Sequence, residues 1–315
     1  MKQKQRFFLL LGGSILSILV LTIGFVTQRA HHGFNVQKIR SPFEASSEWE
    51  IPRLKEVEKE LLQEIVSQDF HYLGSGAQCY AFLSNDGKYV IKFFKIKHLI
   101  PKKWLNLIPF PALANYRLKK IDRRILRHHE LFTSYRRAYE ELKEETGLIH
   151  IHLNKSKELD IRMRLYNRQG NCYHLNLDDY EYVLQKKSEL VKERITSLIE
   201  KGETKEALES ISTLLKQILV QCKKGFIDQD SGVSHNYGFV GDQVIHFDIG
   251  EMIEDGIAKE PFYYQREILR VGRKLEEWIK VQYPDLLHDV EELIDGIINS
   301  SDLFPIPLNN RDNSA

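Results

Sequence analysis

Three rhythms of apolar and polar positions succeed one another along the chain. Residues 7–26, FFLLLGGSILSILVLTIGFV, run for 20 positions without a charge, and about 20 apolar residues are what a helix needs to cross the hydrocarbon core of a bilayer. The run predicts an N-terminal transmembrane helix behind a basic tail, 1–6, that carries Lys2, Lys4 and Arg6. A secretory signal has a shorter apolar core, about 7–15 residues, and then a small-residue cleavage site. The segment TQRAHHGF is a poor site of that kind, so an uncleaved, single-pass membrane anchor is expected. Arg29, Lys38 and Arg40 follow the run, so the basic residues lean toward export of the large domain and leave its side of the membrane undetermined.

The second rhythm is short alternation. After a linker over residues 27–60, with Ser41-Pro42 inside it and the helical run EVEKELLQEIVSQ at its end, residues 70–95 read as three strands. One ends at Gly74, one covers Cys79 to Leu83 and one Tyr89 to Phe94, with Asn85-Asp86-Gly87 turning the second hairpin. A helix is expected over Thr133 to Thr146. Strands are expected over 160–166, 173–177 and 182–187, with Arg168-Gln169-Gly170 as a turn. The third rhythm is helical, over 189–200, 205–223, 264–282 and 286–299. The pattern therefore predicts an α+β chain of two lobes, a β-rich lobe over 61–187 and a helical lobe over 188–300, before a tail over 301–315.

Charge changes this picture in one place. The whole chain carries +1, from 45 Lys+Arg against 44 Asp+Glu, so no global field draws it to nucleic acid or to a membrane surface. Residues 97–137, however, hold eleven Lys and Arg against Asp122 and Glu130. Within this stretch the basic insertion 97–130 also carries Trp104, Leu105, Leu107, Ile108 and Phe110. Basic segments with an apolar face contact anionic membranes; the plainer reading is a solvated helix. No nucleic-acid motif accompanies the charge, and nucleic acid is not expected as a partner. The three cysteines, Cys79, Cys172 and Cys222, lack metal-ligand spacing and read as free thiols.

Three separated elements carry the candidate chemistry. Gly74-Ser75-Gly76 lies between two strands, where backbone N–H groups can approach phosphate oxygens without a Cβ in the way. Lys92 sits in Val90-Ile91-Lys92-Phe93-Phe94, a strand whose apolar neighbours imply a buried ammonium in need of an anion. The stretch Gly225 to Gly250 places Asp228, Asp230 and Asn236 before a short hairpin and Asp248 just after it. Phosphoryl transfer uses such a set, one aspartate orienting the attacking hydroxyl while an asparagine and a second aspartate hold Mg²⁺.

These residues resemble the protein kinase-like superfamily, over roughly Tyr72 to Asp295. The resemblance implies ATP and Mg²⁺ as cofactors, Gly74, Ser75, Gly76 and Lys92 as nucleotide-binding residues, and Asn236 with Asp248 of Asp248-Ile249-Gly250 as metal ligands. It implies Asp230 as the base, with Asp228 the alternative, and a glutamate from the helix after the lysine strand, chosen as Glu140 from Glu140, Glu141 and Glu144. Val183 to Lys186 stands at the hinge between lobes. The chain departs from the family pattern where Cys79 replaces the third loop glycine, where no His-Arg precedes Asp230, and where Asp230 and Asn236 are six residues apart instead of five. Only 67 residues follow Asp248, without an Ala-Pro-Glu motif, which is closer to small-molecule or lipopolysaccharide kinases than to regulated protein kinases. The expectation is a membrane-anchored, ATP- and Mg²⁺-dependent phosphotransferase of unknown acceptor. The alternative is a catalytically inactive kinase-like module acting as a membrane-tethered binding protein.

Overall fold

The structure, a computed structural model, describes residues 34–101, 114–230 and 232–300. Helix α1 (Glu56–Val66) leads into strands β1 (Asp69–Ser75), β2 (Cys79–Ser84) and β3 (Tyr89–Phe94). The short helix α2 (Ile96–Leu99) and the long helix α3 (Ala114–Glu141) follow, then β4 (Leu148–His152), β5 (Arg162–Tyr166), β6 (Cys172–Asn176) and β7 (Tyr182–Lys186). These seven strands form one sheet in the order β4-β7-β3-β2-β1-β5-β6, in which only β1 and β5 pair in parallel. The β2–β3 turn forms where Asn85-Asp86-Gly87 predicts it: Gly87 has φ +72°, its N–H donates to the Ser84 carbonyl, and the Asp86 carboxylate accepts from the Ser84 hydroxyl and the Lys88 N–H.

Alternation along the strands divides the sheet into two buried faces. Phe70, Tyr80, Phe82, Ile91, Phe93, Leu165 and Leu184 pack on one side with Ile39 and Leu62. On the other, Phe94, Ile151 and Val183 meet Leu131, Phe132, Tyr135, Ala138 and Leu142 of α3. Phe34, Ile39 and Trp49 are buried in these cores, so the described part of the expected linker is packed against the lobe. Nothing in the sequence from Ala114 to Glu141 breaks a helix, neither Gly nor Pro. The described part of the basic insertion and most of the helix expected at 133–146 are accordingly one element of 28 residues.

The second lobe begins with β8 (Glu189–Leu190), α4 (Val191–Glu200) and α5 (Thr204–Lys224). Gly225, at φ +96°, ends α5 in the left-handed conformation that glycine adopts without strain. The chain then lays down β9 (Phe226–Asp228), α6 (Val233–Asn236), β10 (Tyr237–Val240), β11 (Gln243–His246) and β12 (Met252–Glu254), before α7 (Pro261–Gln282) and α8 (Leu287–Ser300). Apolar stripes of α4, α5, α7 and α8, among them Ile195, Leu214, Ile218, Ile268, Leu275 and Ile294, close the core of this lobe. Strand β9 pairs with β12, and β10 pairs with both β11 and β8. These small sheets bring the Asp228–Asn236 loop beside the Asp248 turn.

The expectation of a single-pass membrane protein is corrected. Among the described residues no helix is long and apolar enough to cross a membrane. The longest, α3, is rich in Arg and Lys, and α5 and α7 each keep a polar face toward water. The run 7–26, on which the anchor rested, and residues 102–113 of the insertion lie outside the described residues.

Candidate functional site

A cleft of about 550 Å³ lies between the lobes, and of the expected residues Gly74, Ser75, Gly76, Lys92, Asp230 and Asp248 line it. Its roof is the β1–β2 hairpin. Gly76 donates to the Cys79 carbonyl at 3.1 Å, and the Lys95 N–H donates to the Gln78 carbonyl at 2.7 Å, so the loop is held at both sides. A Cβ added at Gly74 or Gly76 would meet nothing within 4 Å. Packing therefore does not demand these glycines; what they leave open is the approach to the loop backbone.

Strand β3 carries Lys92 into the cleft wall. Its Nζ donates to the Phe247 carbonyl at 2.6 Å and stands 5.4 Å from the centre of the Phe247 ring. Burial pulls the Lys92 ammonium below its usual pKa, while Asp248 and then Cys79 pull it back up. An ammonium in a low-dielectric wall with one carbonyl partner has donor capacity left for an anion.

The expected glutamate does not reach Lys92. Glu140 accepts from Arg136 at 2.9 Å and lies 4.0 Å from Arg137, Glu141 pairs with Arg137 at 3.4 Å, and all three candidates, Glu144 included, are exposed. The reason is helical phase. Leu131, Tyr135, Ala138 and Leu142 recur at spacings of four and three and form the inward stripe, which turns Glu140 and Glu141 outward. Tyr135 is the α3 residue that lines the cleft. It is hydrogen-bonded to Cys79, and burial, ahead of the nearby Cys79 and Asp248, holds its phenol well above the ordinary pKa. Burial likewise pushes the Cys79 thiol up to about 12. One residue earlier, the Ser134 hydroxyl donates to the Ile249 carbonyl, tying α3 to the Asp248-Ile249-Gly250 turn. Neither Tyr135 nor Ser134 was singled out from sequence; the period of the apolar stripe was the available signal.

The two candidate bases separate cleanly. The Asp228 side chain is 8% exposed. Its Oδ1 accepts from the Asp230 N–H at 2.9 Å, and its Oδ2 lies 3.4 Å from both Asn236 Nδ2 and His246 Nε2. Asp230 lines the cleft and accepts from the Gly232 N–H at 3.1 Å. Asn236 is buried, and its carbonyl accepts from the N–H groups of Phe247 at 2.8 Å and Asp248 at 3.4 Å, so the catalytic-loop candidate and the Asp248 turn are joined through backbone. A Cβ on Gly232 would lie 3.3 Å from both Asn236 Oδ1 and Asp230 Oδ1, which shows two side-chain oxygens facing one small space. Together with the Asp248 carboxylate in the cleft, these are hard oxygen donors of the kind a divalent cation such as Mg²⁺ takes. Among the described residues no group of three His, Cys, Asp or Glu gathers as a self-sufficient metal cage.

Gln185, Lys186, Lys187 and Ser188 line the opposite end of the cleft. At the roof's tip, Gln78 Nε2 donates to Glu251 at 3.4 Å, and a Cβ on Gly250 would fall 1.9 Å from Gln78 Oε1. The loop tip thus touches the floor beside Asp248, and Gln78 and Glu251 join the expected site residues.

No protein-family model matches the chain, and no curated protein matches it. Among solved structures, it is similar to the bifunctional kinase-methyltransferase WbdD, at 14% identity over 75% of this chain and 45% of that one, with a TM-score of 0.33. It is also similar to the ROP18 kinase domain in complex with AMP-PNP and sucrose, at 12% identity over 62% of this chain and 61% of that one, also with a TM-score of 0.33. The chain covers less than two thirds of either. Its fold is kinase-like on its own topology: a β-rich lobe with a glycine hairpin and strand lysine, a helix laid across the sheet, and a helical lobe presenting two acidic loops to the cleft between them.

Proposed function

Proceeding from that kinase-like fold, we propose that the cleft binds ATP with Mg²⁺ and transfers the terminal phosphoryl group to a hydroxyl acceptor. The observation that carries this reading is Lys92, a part-buried ammonium between the glycine hairpin and Asp248 with no carboxylate in ion-pair contact among the described residues. Nucleotide phosphates are the anion that such a lysine and the open N–H groups of Gly74, Ser75 and Gly76 suit. The segment Val183 to Lys186 and the residues just after it border the adenine end.

Asp248 and the Asn236 Oδ1 are the residues that would hold Mg²⁺, which when bound neutralises charge on the phosphate oxygens. Asp230 orients the acceptor hydroxyl and takes its proton as the oxygen attacks phosphorus and ADP departs. Asp228, shielded and bonded to both the Asp230 backbone and Asn236, positions these two. Glu140 has no part in this reading, because its carboxylate belongs to the Arg136 and Arg137 pairs. Residues 61–187 then serve as the nucleotide-clasping lobe and 188–300 as the lobe that meets the acceptor.

A second reading, a kinase-like binding module without turnover, draws on two features of the cleft: α3 gives Lys92 no glutamate, and Gln78 fills the space beside Gly250. Thermal unfolding of the full chain with ATP and Mg²⁺ tests the first reading, since a ligand at about 100 times its Kd adds roughly 2.7 kcal/mol to the native state. A Mg²⁺-dependent rise in Tm that disappears in both Lys92→Ala and Asp248→Ala is the expected result. A folded wild type without any shift overturns nucleotide binding, and a shift without ADP formation from any acceptor favours the silent module.

A further inference from the structure

At the hinge end of the cleft the fold leaves one polar atom without a partner. Strand β7 pairs antiparallel with β3, with Gln185 opposite Val90 and Val183 opposite Lys92. Side chains directly opposite in a sheet leave it on the same face, and every second residue along a strand shares that face. Val183 packs in the core under α3, while Tyr182 and Leu184 point into the core on the other side of the sheet. Gln185 therefore shares the face of Val90 and Lys92, and all three line the cleft. Along β3, Phe94 stands opposite Cys79 at the glycine loop and Val90 stands opposite Leu83, away from it. The level of Gln185 is two residues, about 7 Å, from that of Lys92, on the side away from the phosphate-facing loop.

Gln185 is 1% exposed, and its carboxamide is half satisfied. Its Nε2 donates to the Thr146 carbonyl at 3.1 Å, whereas its Oε1 is buried without a hydrogen-bond partner among the described residues. That bond dictates which way the amide faces: turned over, the side-chain oxygen would meet a carbonyl oxygen, and neither can donate. Thr146 is itself fixed just past the end of α3, where its N–H at 2.9 Å and its hydroxyl at 2.7 Å both donate to the Leu142 carbonyl. The donor end of the amide is thus committed to Thr146, and the end left open is the acceptor. The walls around it are apolar, Leu73, Ala81 and Val90 from the first lobe and Leu190 from the second. Such a slot suits a flat heterocycle, and it is also where an unpaired oxygen is least well tolerated.

We propose that Gln185 selects the base of the nucleotide: its Oε1 accepts a hydrogen bond from an exocyclic amino group, so that a 6-aminopurine nucleotide is bound and a 6-oxopurine nucleotide is refused. The inference rests on nucleotide binding in this cleft. Adenine presents an amino donor at the position where guanine presents an oxygen acceptor. Two acceptors facing each other in a desolvated slot repel, and both stay unpaired. A site built to hydrogen-bond one group of its ligand rejects the analogue lacking that group more sharply than shape alone does. Backbone groups of the Val183 to Lys186 segment are present whatever the side chains, so this discrimination belongs to the glutamine.

The test uses the full chain with Mg²⁺, as wild type and as Gln185→Met, a swap that keeps the length of the side chain and removes its oxygen. Isothermal titration follows ATP, GTP, inosine triphosphate and purine riboside triphosphate, the last carrying hydrogen in place of the amino group. The expected result is that the wild type binds ATP about tenfold more tightly than purine riboside triphosphate, the equivalent of one hydrogen bond, and binds the two 6-oxopurine nucleotides more weakly still. Gln185→Met lowers ATP affinity to that of purine riboside triphosphate, whose own affinity stays as in the wild type. The wild-type comparison stands whether or not the variant folds. Equal wild-type affinity for ATP and purine riboside triphosphate overturns the assignment. A preference for ATP retained in Gln185→Met overturns it as well and moves base reading to the backbone of the strand. A folded wild type that binds none of the four overturns the nucleotide reading itself, and the role of Gln185 falls with it.

Discussion

Asp228 and Asp230 are two residues apart and differ in everything that matters to a carboxylate. Asp228 is enclosed and accepts from the Asp230 backbone, with Asn236 and His246 beside it, whereas Asp230 opens on the cleft. Removing Asp228 strips the Asp230 N–H and the buried Asn236 amide of their acceptor and the buried His246 imidazole of its carboxylate neighbour, and leaving a buried polar group unsatisfied costs about 1–3 kcal/mol. Asp228→Ala is therefore expected to lower the unfolding free energy measured in urea by that much. Asp230→Asn keeps stability within about 0.5 kcal/mol, as for an exposed site. The same substitution slows ADP formation by about 10²–10⁴, the contribution of a positioned general base. Equal losses of stability in both variants would remove the distinction on which Asp230 is chosen. The family resemblance had already put Asp230 ahead of Asp228, yet the shielding of Asp228 by His246 comes from the β10–β11 hairpin and could not be read from the sequence.

Among the elements, β10 sets how closely the site can be assembled. Gly238 pairs with Leu190 of β8, and a Cβ there would come 2.5 Å from the Glu189 carbonyl oxygen and 2.5 Å from the Ser188 hydroxyl. Backbone cannot retreat as a flexible side chain can, so Gly238→Ala is expected to cost about 1–3 kcal/mol, the usual range for overpacking. Denaturant unfolding measures it, and a cost below about 0.5 kcal/mol, typical of an open surface position, would show that β8 yields. Helix α3 makes the complementary point. Its charged sequence predicted a solvated helix, and its exposed N-terminal half carries Leu118, Ile125 and Leu126 to the surface. Its C-terminal turns, by contrast, clamp the Asp248 turn through Ser134 and line the cleft with Tyr135. Strand β4, absent from the elements expected from the sequence, is a five-residue edge strand whose His150 and His152 interrupt the apolar signal.

Across the whole molecule, acid is the condition that should unfold it first. His150 is 5% exposed, both its ring nitrogens lack a hydrogen-bond partner among the described residues, and it is surrounded by Tyr139, His152 and Tyr182. Burial, followed by His152 and Lys143, pushes its imidazole down to about 3. The native group refuses a proton that the unfolded chain accepts near pH 6.5. Stability is thus whole above pH 6.5 and falls as the pH drops toward the folded value. By pH 5 this one residue removes about 2 kcal/mol. His128, pushed down to about 4 chiefly by burial, acts in the same direction. His150→Phe is expected to flatten the pH dependence of the urea midpoint between pH 7 and pH 5. An unchanged slope would place the acid sensitivity elsewhere.

Period and punctuation were enough to define much of this protein. The strands flanking the glycine hairpin, the Asp86-Gly87 turn, the helices of the second lobe and the hairpin before Asp248 all follow from local alternation, helical spacing and turn chemistry, which act over a few residues. Lys92, Asp230, Asn236 and Asp248 could be nominated for the same reason, because each sits at a recognisable place relative to such an element. The tertiary structure decided what depends on helix phase and long-range approach. It turned Glu140 away and put Tyr135 in its place, buried Asp228 behind His246, and laid Gln78 against Gly250. A side chain's facing is set by which partner surface its element packs on, and that choice is made between residues tens to hundreds of positions apart.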